Sequence, residues 1–196
     1  ALKDIAGRTF NCVTVDGDTS TNDSLLVLAS GHAGNRSVTS TAGKPYRLFA
    51  AALEEVCLSL AEQIARDGEG ATKLVRVDVR GARTDADARR AARTIAESPL
   101  VKTAMFGCDP NWGRVIAAAG RSGCSLREER VSMKLCGRPL FGRGAPLDFD
   151  AAALSRLMHA KEITLAVDLG LGRGACTFLT CDYSYDYVKI NAEYHT

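Results

Sequence analysis

The stretch Arg47-Leu48-Phe49-Ala50-Ala51-Ala52-Leu53-Glu54-Glu55-Val56-Cys57-Leu58-Ser59-Leu60-Ala61-Glu62-Gln63-Ile64-Ala65-Arg66 runs through the corner Asp67-Gly68-Glu69-Gly70-Ala71-Thr72-Lys73 into Leu74-Val75-Arg76-Val77-Asp78-Val79-Arg80. Leu48, Phe49, Ala52, Leu53, Val56, Leu60 and Ile64 recur at helical spacing, with Glu54, Glu55, Glu62 and Gln63 elsewhere on the cylinder, so a helix over 47–66 is predicted. Gly68 is the expected left-handed stop. Lys73 to Arg80 then alternates as a strand. Outward from this pair, Thr84-Asp85-Ala86-Asp87 caps a helix through about Glu97 and Ser98-Pro99 breaks it. Asn111 to Ala119 reads as helix, Arg130 to Cys136 as extended chain, and Asp148 to His159 as a helix capped by Asp148. Ile163 to Asp168 and Ala175 to Cys181 are strands, and Gly170-Leu171-Gly172-Arg173-Gly174 is read as the hairpin turn between them. Toward the start, Thr9 to Val15 alternates like a strand, Asp16 to Asp23 is a polar loop, and Leu25, Leu26 and Leu28 suggest a short helix ending near Gly31. Strands and helices mix without a strict βαβ rhythm. The expectation is an α+β fold, a layered α/β sandwich of mixed sheets and helices. The Gly/Arg/Pro-rich stretch 137–146 marks a candidate subdivision.

The 196 residues suffice for one ordinary domain with its own core. Hydrophobic residues make up 46% and charged residues 24%, and 25 Lys+Arg against 23 Asp+Glu leave a formal charge of +2. That balance gives little pull on a phosphate backbone, so no nucleic-acid partner is expected. Apolar runs such as Val115 to Ala119 fall far short of the roughly 20 residues a membrane helix needs, and no membrane partner is expected either. Seven cysteines, an odd number without a C-x-x-C pair, suit free thiols in a reducing cytoplasm. The three histidines show no ligand spacing, and neither metal nor cofactor is expected.

Several segments carry groups able to do chemistry. Asp16-Gly17-Asp18-Thr19-Ser20 after a strand resembles the first motif of the haloacid dehalogenase superfamily, in which one Asp attacks phosphorus and another serves as acid/base. That motif expects an apolar residue next, and Thr21-Asn22-Asp23 stays polar; a self-satisfied polar loop is the plainer reading. Asp67-Gly68-Glu69-Gly70 sets one carboxylate between two glycines, where backbone can approach a ligand closely; a solvated corner is the alternative. Phe106-Gly107-Cys108-Asp109-Pro110-Asn111-Trp112-Gly113-Arg114 holds the only Trp and a candidate Arg clamp. The end, Tyr183-Ser184-Tyr185-Asp186-Tyr187-Val188-Lys189-Ile190-Asn191-Ala192-Glu193-Tyr194-His195-Thr196, is too aromatic for a fraying tail and could deliver Asn191 or Thr196 to a site.

Taken in order, Thr9 to Asp23, Asp67 to Lys73, Val101 to Arg114 and Asp186 to Thr196 closely resemble the β chain of the glutamate N-acetyltransferase family, also called ornithine acetyltransferases, over Arg8 to Thr196. The resemblance implies a precursor that cuts itself before a threonine, giving an α chain and a β chain in a cytoplasmic α2β2 assembly, with the fold shared between the two chains. It implies transfer of an acetyl group from N-acetylornithine to glutamate through an acetyl-threonine intermediate, with acetyl-CoA as a second donor in bifunctional members. By motif match Glu69, Asn191 and Thr196 become the substrate-binding residues. Ala1 is not threonine, so the nucleophile is expected upstream of it, and internal Thr9, without a free amine, does not replace it. The competing expectation is a paralogue that binds amino acids or moves a different acyl group.

Overall fold

Alternation along Leu74–Ala82 (β1) puts Val75, Val77 and Val79 on one face and Leu74, Arg76 and Asp78 on the other. In the computed structural model, which describes residues 1–194, β1 is an interior strand. The remaining strands are Ser132–Leu135 (β2), Arg138–Gly142 (β3), Ala145–Pro146 (β4), Glu162–Asp168 (β5) and Gly174–Cys181 (β6). They form one six-stranded sheet in the order β4-β3-β2-β5-β1-β6. β5 is parallel to β1, whereas β6 is antiparallel to it. The helices are Leu2–Arg8 (α1), Lys44–Arg66 (α2), Asp85–Ala96 (α3), Pro99–Phe106 (α4), Trp112–Gly120 (α5), Ala151–Leu157 (α6) and Tyr185–Glu193 (α7).

Helices cover both faces of the sheet, unequally. Val75, Val77 and Val79 join Ala88, Ala91, Ala92 and Ile95 of α3 and Val115 and Ala118 of α5 in the main core. On the opposite face Leu74 and Leu179 meet only Ala61 and Ala65 of α2, with Phe10 and Val13 beneath them. Polar pairing fills the rest of that face: Arg76 bridges to Glu62 at 2.6 Å, and Thr177 donates to Asp78 at 2.6 Å. The layered α+β architecture is as expected.

Several local readings need correction. Thr9–Val15 is not a strand: Phe10–Cys12 is a 3-10 turn, and Val13 makes one isolated bridge to Leu179. Its alternation has another cause, since Phe10 and Val13, three apart, pack beneath α2 while Cys12 enters the main core. Leu25–Leu28 forms no helix; Leu26 and Leu28 are 78% and 92% exposed, with nothing in the described chain to bury them. α2 stops at Asp67, and the residue in the left-handed region is Gly70 (φ +66°) rather than Gly68. Pro99 starts α4 from its first turn, where proline's fixed φ and missing N–H suit a helix. Asp150, not Asp148, caps α6 by accepting from the Ala153 amide at 2.9 Å.

Gly170 to Gly174 is no hairpin turn. β1 lies between β5 and β6, and the connection wraps its end, where the amides of Leu171 and Gly172 donate to the Gly81 carbonyl. The stretch 137–146 supplies β3 and β4 to the same sheet. Two tight loops fold it, Cys136-Gly137 (φ +49° and +77°) and Arg143-Gly144 (φ +54° and +76°). Positive φ at both central residues is the conformation that matches the twist of paired antiparallel strands.

Candidate functional site

The corner after α2 is held by buried groups on three sides. The Asp182 carboxylate, fully buried, accepts from the amides of Thr72 (2.8 Å) and Lys73 (2.9 Å) and from the Thr72 hydroxyl (2.5 Å). Lys73 turns inward, its Nζ donating to the carbonyls of Met105 (2.6 Å) and Phe106 (3.1 Å), where the negative end of the α4 dipole favours a cation. Ser184 caps α7 by accepting from the Asp186 amide at 3.1 Å, and its hydroxyl donates to the Gly70 carbonyl at 2.5 Å. A Cβ on Gly70 would lie 2.4 Å from the Tyr187 nitrogen. The first turn of α7 thus sits directly on the corner.

That seating brings two predicted site residues together. The Asn191 Nδ2 donates to Glu69 Oε2 at 2.7 Å and to the Tyr187 carbonyl at 3.0 Å. Glu69 Oε1 has no hydrogen-bond partner among the described residues, so one carboxylate oxygen is held while the other is open to the cleft. Thr196, the third predicted residue, lies outside the described residues. Glu69 lines a cleft of about 350 Å³ with Val15, Asp16, Ile64, Asp67 and Gly68. Val15, Asp16 and Ile64 also line a neighbouring cleft of about 610 Å³ that reaches Ala6 of α1.

Residues that spacing alone did not assign support this arrangement. The Tyr187 hydroxyl donates to Asp16 Oδ2 at 3.1 Å, and the Asp18 amide donates to Asp16 Oδ1 at 2.9 Å. Tyr183 stacks on Tyr187 with centroids 4.5 Å apart, and Lys102 Nζ lies 4.5 Å from the Tyr183 ring centroid. Burial pushes the Tyr183 phenol well above its ordinary range, with Tyr187 and Asp16 adding to the shift. Burial pulls the Lys102 ammonium down, and it donates to the Thr180 hydroxyl at 2.8 Å and to the Cys181 carbonyl. Phe106 meets Tyr185 edge-on at 5.5 Å.

Two other candidates resolve as structure. Arg114 is no clamp: its guanidinium braces α4 at the Leu100 carbonyl (2.9 Å) and the Thr103 hydroxyl (3.2 Å). Asp16 and Asp18 do not follow a strand, and Asp16 is engaged by Tyr187, so the phosphotransfer arrangement is not built. Among the described residues no group of three or more His, Cys, Asp or Glu side chains could hold a metal ion, and no helix is long and apolar enough to cross a membrane.

The four stretches that carry the family resemblance therefore meet around one corner: 9–23 through Asp16, 67–73 through Glu69 and Gly70, 101–114 through Met105 and Phe106, and the final stretch through Tyr187 and Asn191. A family model described as the ArgJ family matches residues 1–196. The chain belongs to the ArgJ family. It is 50% identical over 196 residues to the arginine biosynthesis bifunctional protein ArgJ of Symbiobacterium thermophilum, covering 100% of this chain and 48% of that protein. It is 47% identical over 201 residues to the glutamate N-acetyltransferase of Methanopyrus kandleri, covering 100% of this chain and 50% of the relative. A crystal structure of ArgJ from Bacillus halodurans superposes with a TM-score of 0.95 at 43% identity, over 98% of this chain and 91% of that one. This ArgJ-family chain spans about half the length of the curated relatives it matches.

Proposed function

We propose that this chain is the substrate-binding half of an acetyltransferase of arginine biosynthesis that moves the acetyl group of N-acetylornithine to glutamate. The observation that carries the reading is the Asn191–Glu69 hydrogen bond at a corner assembled from all four family stretches. Relatives whose names include glutamate N-acetyltransferase support it. In this mechanism Glu69 receives a substrate ammonium, and Asn191 and Thr196 hydrogen-bond the α-amino acid end. The nucleophile is a threonine upstream of Ala1 in the full protein, freed at its amino terminus by self-cleavage. Its α-amine, with an ordinary pKa of about 8, takes the proton of its own hydroxyl. Attack on the acetyl carbonyl breaks the amide, releases ornithine and leaves an acetyl ester; glutamate's amine then takes the acetyl group and restores the hydroxyl.

The rest of the protein, the α chain in family terms, seats on the apolar stripe of α2. Leu48, Val56, Leu60 and Ile64 are 62%, 56%, 43% and 48% exposed, and Ile64 lies in the same cleft as Glu69. The assembly is α2β2 and cytoplasmic. Intact-mass analysis of the full protein tests the reaction. After brief exposure to N-acetylornithine, the fragment beginning with threonine should gain about 42 Da as an acetyl ester. The same gain with acetyl-CoA assigns the second donor that the word bifunctional in the relatives' names suggests. An uncut precursor, or a cut one that takes no acetyl group, overturns the reading.

A further inference from the structure

A further cavity lies away from Glu69. It measures about 720 Å³ and is lined by Arg8, Cys12, Arg80, Arg89 and Cys176 among others. Cys12 ends the 3-10 turn after α1 and is buried, whereas Cys176, near the start of β6, is half-buried. Their sulfurs lie 3.9 Å apart although the residues are 164 positions apart in sequence. We propose that Cys12 and Cys176 are a modification site: a thiol pair that a low-molecular-weight disulfide entering this cavity converts to an intramolecular disulfide.

Three features of the site favour the exchange. The sulfurs are in direct contact at 3.9 Å, and the exchange draws them to the roughly 2.05 Å of a disulfide. The Arg89 guanidinium is fixed beside Cys12, donating to the carbonyls of Gly7 (2.6 Å) and Asn11 (2.5 Å), where it favours a thiolate. The contact with Cys176, aided by Arg89, holds the Cys12 thiol below its ordinary value, while the same contact and burial push the Cys176 thiol up, so Cys12 is the thiolate that attacks first. The Cys12 thiolate attacks one sulfur of the reagent, whose S–S bond breaks to release one thiolate. Cys176 loses its proton and attacks the Cys12 sulfur of the mixed disulfide, displacing the second thiolate. Both leaving groups take up protons, so two protein thiols are oxidised as one disulfide is reduced to two thiols.

Cys181 offers the contrast. It is buried and lies beside Lys102 rather than another sulfur. The test treats the full protein with oxidised glutathione. The protein should lose about 2 Da with no retained glutathione, regain it with reductant, and melt at a higher temperature when oxidised, since the link closes a long loop. Because Cys176 and Cys181 share one tryptic segment, variants decide the assignment: Cys176→Ser and Cys12→Ser should abolish the mass loss, and Cys181→Ser should keep it. Cys176→Ser changes a half-buried position and serves if Cys12→Ser fails to fold. Retained glutathione as the end product, no oxidation, or mass loss that survives Cys176→Ser would overturn the proposal.

Discussion

Asn191 reaches Glu69 because α7 starts where it does, and the bond between them is exposed. Replacing Asn191 by Ala removes a charge-assisted donor and leaves Glu69 without its described partner. The KM for N-acetylornithine should rise about tenfold with the melting temperature unchanged, as expected when a hydrogen bond to a charged group is lost at an open site. Tyr183 gives a pH dependence. Its phenol titrates above the ordinary value of about 10, so the folded chain keeps a proton there that the unfolded chain has released. Stability from this group is therefore complete below about pH 10 and is lost as pH rises through the folded value. In urea titrations between about pH 9 and pH 11, Tyr183→Phe should lose less stability than the parent. Parallel curves would show that Tyr183 has no part in the alkaline transition.

At the scale of elements, capping and close approach decide where the site sits. Thr84 caps α3 by accepting from the Asp87 amide at 3.1 Å, and Thr84→Ala should lower the urea-measured stability by about 1 kcal/mol. Gly70→Ala demands more, since it asks an alanine for φ +66° and puts its Cβ within 2.4 Å of the α7 backbone. A loss of about 3 kcal/mol is expected, with weakened substrate binding although Glu69 and Asn191 are untouched. The elements legible in the sequence were those with their own signal: α2 by period, α3 by its cap and β1 by alternation. The misread ones were set from afar. Phe10, Cys12 and Val15 space like strand residues, but Phe10 and Val13 are held by α2 and Leu179, and β5 and β6 are kept apart by β1, which local turn chemistry cannot reveal. Lys73, Lys102 and Asp182 carried no pattern, because their partners, largely backbone groups, are brought near only by folding.

For the whole molecule, the two faces of the sheet are unequal. One is a full core; the other is a thin seam under a helix whose large apolar residues point outward. A sequence pattern shows that α2 has an apolar stripe but not which partner buries it, and within this chain small alanines face inward while Leu48, Val56, Leu60 and Ile64 do not. Replacing Val56 and Leu60 together by Lys should change the chain's own stability by no more than about 0.5 kcal/mol per site while abolishing co-purification with the rest of the protein. Retained co-purification would place that contact elsewhere.

The central claim, that Glu69 is where substrate charge is received, is tested by calorimetric titration of N-acetylornithine into the full protein and its Glu69→Gln variant. Gln keeps the shape and removes the charge. Affinity should drop at least about tenfold with the melting curve unchanged; equal affinity in the two proteins would contradict the account.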